Sequence, residues 1–156
     1  MNDQSQNFDD AFIDNVDELE REDHETAYKL FLPLAEQGNV DAQVGLGLMY
    51  ESGQGVPQNY KEAIKWYRLA AEQGYAFAQF HLGVMYGKGH GVPQDYKEAV
   101  KWYRLAAEQG DAEAQCMLGD MYYEGQGVSD DYAESIKLWK LAAEQGHEEA
   151  QYNLDN

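Results

Sequence analysis

The tetrapeptide Ala-Glu-Gln-Gly stands at 35–38, 71–74, 107–110 and 143–146, always 36 residues apart. A fixed period of this length constrains a fold more than composition does. Each copy is one supersecondary unit, and it hides its apolar face only by stacking on its neighbours. The spacing defines three full units: Asn39 to Gly74, Tyr75 to Gly110 and Asp111 to Gly146. A half unit at 23–38 precedes them, and a short segment at 147–156 follows. Residues 1–22 form an acidic N-terminal segment.

Each unit reads as two helices. The first carries Ala42, Leu46, Met49 and Tyr50, then Ala78, Leu82, Met85 and Tyr86, then Ala114, Leu118, Met121 and Tyr122. The spacing i, i+4, i+7, i+8 is one face of a helix, and strand alternation does not fit it. The second helix carries Ala63, Trp66, Tyr67, Ala70 and Ala71. Trp102 and Trp139 mark related places, with Trp139 displaced by one. Asn59, Asp95 and Asp131 precede Glu62, Glu98 and Glu134 by three residues, the spacing of a capping box. Gly38, Gly74, Gly110 and Gly146 fall where a left-handed residue ends a helix. Against this, the glutamate before each Gln-Gly faces the negative end of its helix dipole.

Gly47, Gly83 and Gly119 lie inside the first helix, where glycine costs about 1 kcal/mol relative to alanine. Their recurrence predicts two helices too close for a side chain. The Gly-x-Gly pairs at 53–55, 89–91 and 125–127 follow no strand and lack a third glycine, so they are turns and not phosphate loops.

Ala-x-x-x-Leu-Gly-x-x-Tyr, Gly-x-Gly-Val, Tyr-x-Glu-Ala-x-x-Trp-Tyr and Ala-Ala-Glu-Gln-Gly together resemble the Sel-1-like repeat, a longer cousin of the tetratricopeptide repeat. The resemblance runs from about 24 to 154, nearly the whole chain. It implies an all-α, right-handed α/α superhelix of antiparallel helix pairs. It also implies adaptor or scaffold work between proteins, including bacterial signalling and host-interaction systems, with no catalytic residue in the repeat. Some relatives carry paired cysteines in each repeat, whereas this chain has only Cys116. The third unit departs at Ser135, where its siblings have alanine, and at Leu138-Trp139, where they have Trp-Tyr. Pro33 in the half unit should kink its helix near Lys29 to Pro33.

The ends need caps, because terminal repeats expose apolar faces. Phe8, Phe12, Val16 and Leu19 fall on one helical face, which suits a capping helix over 1–22. The alternatives are an acidic arm that occupies the groove or a partner, and disorder. At the other end, 147–156 reads as a short cap helix whose final face could dimerise. The chain is expected as a monomer or weak homodimer.

Charge and composition narrow the function classes. The net charge is −18, from 29 acids against 11 bases. Such a chain repels nucleic acid and anionic membrane and favours a basic partner. The charge is uneven: residues 75–110 carry three acids against four bases, whereas 111–146 carry eight against two. No apolar run is long enough to span a membrane, and the N-terminus lacks the basic start and apolar stretch of a secretory signal. One cysteine excludes an internal disulfide framework, so a cytoplasmic setting is expected. His24, His81, His90 and His147 show no metal-ligand spacing with one another or with Cys116. His81 and Cys116 sit at neighbouring repeat positions, too little support for a Cys-His nucleophile. No catalytic residue, metal or cofactor is expected.

Residues that repeat serve the stack; a particular partner is read by residues that differ. By analogy with the tetratricopeptide cousin, the first helices line a concave groove. The stripe there holds Asp41, Val44, Leu48, Glu51 and Ser52, then Phe77, Phe80, Val84 and Lys88. It continues with Glu113, Cys116, Asp120, Tyr123 and Glu124, and ends with Glu149 and Tyr152. The spacing i, i+3, i+7, i+10 separates it from the Ala-Leu-Tyr core stripe. An apolar centre flanked by acids suits a protein or peptide partner with a basic segment. The expected function is therefore a non-catalytic adaptor or scaffold. The alternative is an acidic inhibitor or immunity-type protein that blocks a basic toxin or enzyme.

Overall fold

The computed structural model describes residues 23–156, so Phe8, Phe12, Val16, Leu19 and the expected capping helix lie outside the described residues. Every regular element among those residues is a helix. Two compact units divide at Gln73–Gly74. The first holds α1 (His24–Glu36), α2 (Val40–Ser52) and α3 (Tyr60–Glu72). The second holds α4 (Ala76–Lys88), α5 (Tyr96–Glu108), α6 (Ala112–Glu124), α7 (Tyr132–Glu144) and α8 (Glu148–Asp155). The helices α1 to α7 share one length of 13 residues, so the sequence period is reproduced as a structural period.

The helix boundaries follow from the capping chemistry. Asn59, Asp95 and Asp131 accept the backbone N–H of Glu62, Glu98 and Glu134 at 3.2, 3.1 and 3.0 Å. Asn39 and Asp111 do the same for Ala42 and Ala114 at 2.9 and 2.8 Å. Each such cap is worth about 1 kcal/mol. Gly38, Gly74, Gly110 and Gly146 close the second helices with φ of 94°, 90°, 93° and 89°, a region that penalises any Cβ. Pro33 leaves α1 unbroken from His24 to Glu36, with its ring exposed.

The internal glycines have the expected cause. A Cβ on Gly47 would meet the Tyr67 ring at 2.5 Å, and one on Gly83 the Tyr103 ring at 2.5 Å. On Gly119 it would meet the Trp139 ring at 2.7 Å. The displaced tryptophan is thereby explained: Trp139 fills the place of Tyr67 and Tyr103, while Leu138 takes that of Trp66 and Trp102. Leu138 and Trp139 are both buried.

Each compact unit has its own core. In the first, Ala27, Phe31, Ala42, Leu46, Met49 and Trp66 pack together. In the second, Ala99, Val100, Tyr103, Ala114, Leu118 and Leu138 do so, and Cys116, Trp139, Ala142 and Ala150 form a further cluster.

A glutamine ladder runs beside these cores. Gln43, Gln79 and Gln115 on the first helices are buried. Each accepts a side-chain N–H from the glutamine of an Ala-Glu-Gln-Gly motif: Gln73 at 2.8 Å, Gln109 at 2.8 Å and Gln145 at 3.0 Å. Gln43 and Gln115 in turn donate to the carbonyls of Ala35 and Ala107. Buried amides demand partners, and this exchange explains why both glutamines recur at the period.

Candidate interaction surface

In the first compact unit, the α2 stripe is only partly available. Val44 is buried at 8% exposure and belongs to the core side of the helix. Asp41 is half-buried, and Leu48 is exposed at 40%. Glu51 accepts the Tyr67 hydroxyl. Burial, with Glu51 adding, pushes that phenol far above its usual range, so the Tyr67 hydroxyl stays protonated and remains a donor.

In the second compact unit, α4 presents Phe77, exposed at 40%, with its ring 4.3 Å from the His81 ring. Phe80 lies deeper, 5.8 Å from the Tyr103 ring. Phe80 and Val84 are half-buried and pack against the core of this unit, while Lys88 is exposed at the end of α4. On α6, Glu113 is exposed and contacts the Nε2 of His147 at 3.1 Å. The other ring nitrogen of His147 accepts the N–H of Ala150 and caps α8. Tyr123, Glu124, Glu149 and Tyr152 are exposed. Tyr123 has its ring centroid 5.4 Å from those of both Tyr132 and Trp139.

Asp120 is held from two sides. Its Oδ1 accepts Nε1–H of Trp139 at 2.9 Å and Nδ2–H of Asn153 at 3.1 Å. Burial raises its pKa above the usual 3.8; the Trp139 bond opposes this, while the charges of Glu149 and Glu124 add to it. Asp120, Tyr123, Glu124, Trp139, Glu149 and Asn153 line a cleft of about 440 Å³. Sequence reasoning placed Asp120, Tyr123, Glu124 and Glu149 on one face but missed Trp139 and Asn153. The signal was the one-residue displacement of the tryptophan, together with an aspartate where Leu48 and Val84 stand in the other units.

Cys116 is 1% exposed. Burial pushes its thiol up to about 12, with Asp120, Glu149 and Glu113 adding. Thiolate is the nucleophilic form, so this cysteine is a packing residue at neutral pH. Among the described residues, no three His, Cys, Asp or Glu side chains are grouped to hold a metal ion. No helix there is long and apolar enough to cross a membrane.

Comparison with known proteins gives this architecture a family context. The Sel1 repeat model matches residues 17–39, 40–75, 76–111 and 112–147. Comparison with curated protein sequences gives no significant match. Among solved structures, the chain is similar to a protective antigen present in uropathogenic Escherichia coli strains, which displays an SLR fold. That match has 41% identity and a TM-score of 0.82, and covers 84% of this chain and 28% of the antigen. A Sel1 repeat protein from Oxalobacter formigenes matches with 38% identity and a TM-score of 0.87, over 91% of this chain and 58% of that one. The chain thus spans about a quarter and somewhat over half of these two relatives. Cysteine-rich protein B of Helicobacter pylori shares the fold at 22% identity and a TM-score of 0.67, over 85% of this chain and 95% of its own.

Proposed function

The chain belongs to the Sel1 repeat family, and from that premise we propose that it is a non-catalytic interaction module that binds a peptide or protein segment on the face of its first helices. Sel1 repeat proteins generally mediate protein–protein interactions. One observation carries the reading here: Phe77, Tyr123 and Tyr152 are 40%, 53% and 66% exposed although they sit on helices whose other aromatic and apolar positions are largely packed. Exposed aromatic side chains are frequent anchors of protein interfaces, because they bury large area at low entropic cost. Leu48 on α2, exposed at 40%, adds an apolar position within its own compact unit.

The test is partner capture with the intact protein and with Phe77→Ala/Tyr123→Ala, at low and moderate salt. Circular dichroism checks that the variant folds. Partners lost only from the variant support the face. Partners retained equally by both place binding elsewhere on the molecule.

A further inference from the structure

The third unit and the helix that follows it, α8, bring their own particular residues together in one place. Asp120 stands where the earlier units have Leu48 and Val84, Tyr123 where they have Glu51 and Gly87, and Glu124 where they have Ser52 and Lys88. Trp139 replaces Tyr67 and Tyr103, and Asn153 on α8 replaces Gly45, His81 and Met117. All five line the same cleft of about 440 Å³. The repeat works as an internal control: positions required for stacking keep their residue from unit to unit. Of the five, only Trp139 breaks a residue that the earlier units share; the other four are positions that stacking leaves free, and here they converge on one hollow.

The chemistry of that hollow is specific. Its walls include the Trp139 and Tyr123 rings, and its charged groups are Asp120, Glu124 and Glu149, with no basic residue in the lining. Both hydrogen bonds to Asp120 go to Oδ1, which fixes the carboxylate and leaves its second oxygen without a donor among the described residues. Fixed carboxylates beside aromatic faces suit a guanidinium, which is planar, pairs bidentately and stacks on rings. An adjoining hollow of about 410 Å³ runs from Tyr123 and Trp139 to Tyr132, Ile136 and Leu154. Tyr132 is 59% and Ile136 43% exposed there, and Lys140 borders this hollow but not the acidic cleft.

We infer that this end of the second compact unit docks a segment of another protein that inserts an arginine between Asp120, Glu124 and the exposed Tyr123 ring, with the buried Trp139 indole holding Asp120 in place, and lays an apolar side chain on Tyr132 and Ile136. Charge complementarity selects the occupant. Residues 111–156 carry eleven acids against two bases, so the same face of a second copy is repelled. The inference rests on the interaction reading above and narrows it to one cleft and one side-chain chemistry.

The probe is a short synthetic peptide that alternates leucine and arginine, paired with the same peptide in which citrulline replaces arginine. Citrulline keeps the shape and removes the charge. Binding is read by titration calorimetry and by the indole N–H resonance of Trp139. Asp120→Val/Trp139→Tyr rebuilds the arrangement of the second unit and therefore keeps a fold-compatible core; circular dichroism checks it. The arginine peptide should move the Trp139 resonance. It should bind about tenfold or more tighter than the citrulline peptide, and lose a similar factor in the rebuilt variant. Equal binding of the two peptides, unchanged affinity in the rebuilt variant, or no binding to the wild type overturns the inference. Affinity lost in Phe77→Ala but kept in Asp120→Val/Trp139→Tyr also overturns it, while leaving the wider interaction face standing.

Discussion

The pairs α4–α5 and α6–α7 are two readings of one scaffold within the same compact unit. Both close on a ring packed over a helical glycine, Tyr103 over Gly83 and Trp139 over Gly119. Both carry the glutamine exchange, Gln109 with Gln79 and Gln145 with Gln115. They differ in what surrounds the ring. Beside Tyr103 stands Val84, an apolar residue. At the register of Val84 the next pair has Asp120, and it accepts the indole N–H that came with Trp139. A buried donor without an acceptor is costly, so the two exchanges are chemically linked. The residues that set helix spacing are copied between the pairs, and those around the ring are free to diverge once the donor is satisfied.

The largest test breaks the shared part. Tyr103→Ala and Trp139→Ala each empty a core ring site and should cost about 3–5 kcal/mol in urea unfolding. Equal costs confirm that the two rings do the same packing work. A Trp139→Ala loss far below that of Tyr103→Ala would mean that α7 is held by its surface contacts instead.

A step smaller are Gly83→Ala and Gly119→Ala. Alanine favours the helix, but the new Cβ meets ring atoms at 2.5 and 2.7 Å, so both variants should be destabilised, by about 1–3 kcal/mol in the same assay. An increase in stability at either position would show that the helices have room to part.

Smaller again is the buried hydroxyl of Ser135. It is fully buried and has no hydrogen-bond partner among the described residues, at the register where the other pairs have Ala63 and Ala99. Ser135→Ala should raise stability by about 1 kcal/mol, and Ala99→Ser should lower it by a similar amount. Opposite signs measured by thermal unfolding would mark the third unit as less optimised for packing. A loss from Ser135→Ala would show that the hydroxyl is satisfied in solution.

These contrasts also mark how far sequence alone reached. The helix pairs, their caps and the close approach at the internal glycines were legible, because each is local chemistry repeated at a visible period. The glutamine exchange was not, since Gln43 and Gln73 lie 30 residues apart and neither signals burial by type. Most of the candidate face was legible as a helical stripe, but its availability was not: Val44 is packed, and Glu51 is bound to Tyr67. Trp139 and Asn153 escaped because they reach the cleft from other helices, and side-chain convergence across helices leaves no periodic trace.

The smallest effect isolates the charge of Asp120 from its shape. Burial, with Glu149 and Glu124 adding, raises its pKa above 3.8, and the Trp139 bond only partly offsets this. A carboxyl raised in the folded state favours folding in its protonated form. That contribution is fully present below 3.8 and is lost as pH rises through the raised folded value. Asp120→Asn keeps an oxygen for the Trp139 and Asn153 donors but cannot ionise. The melting temperature of the wild type should therefore fall relative to Asp120→Asn over the acid range upward from 3.8, then run parallel to it once Asp120 is fully ionised. The difference should be modest, because Asp120 is partly exposed and solvent screens it. Melting curves that stay parallel throughout would mean that the indole donor fully compensates the buried charge. The third unit would then hold its carboxylate at no cost, and the contrast with the Val84 pair would be one of shape alone.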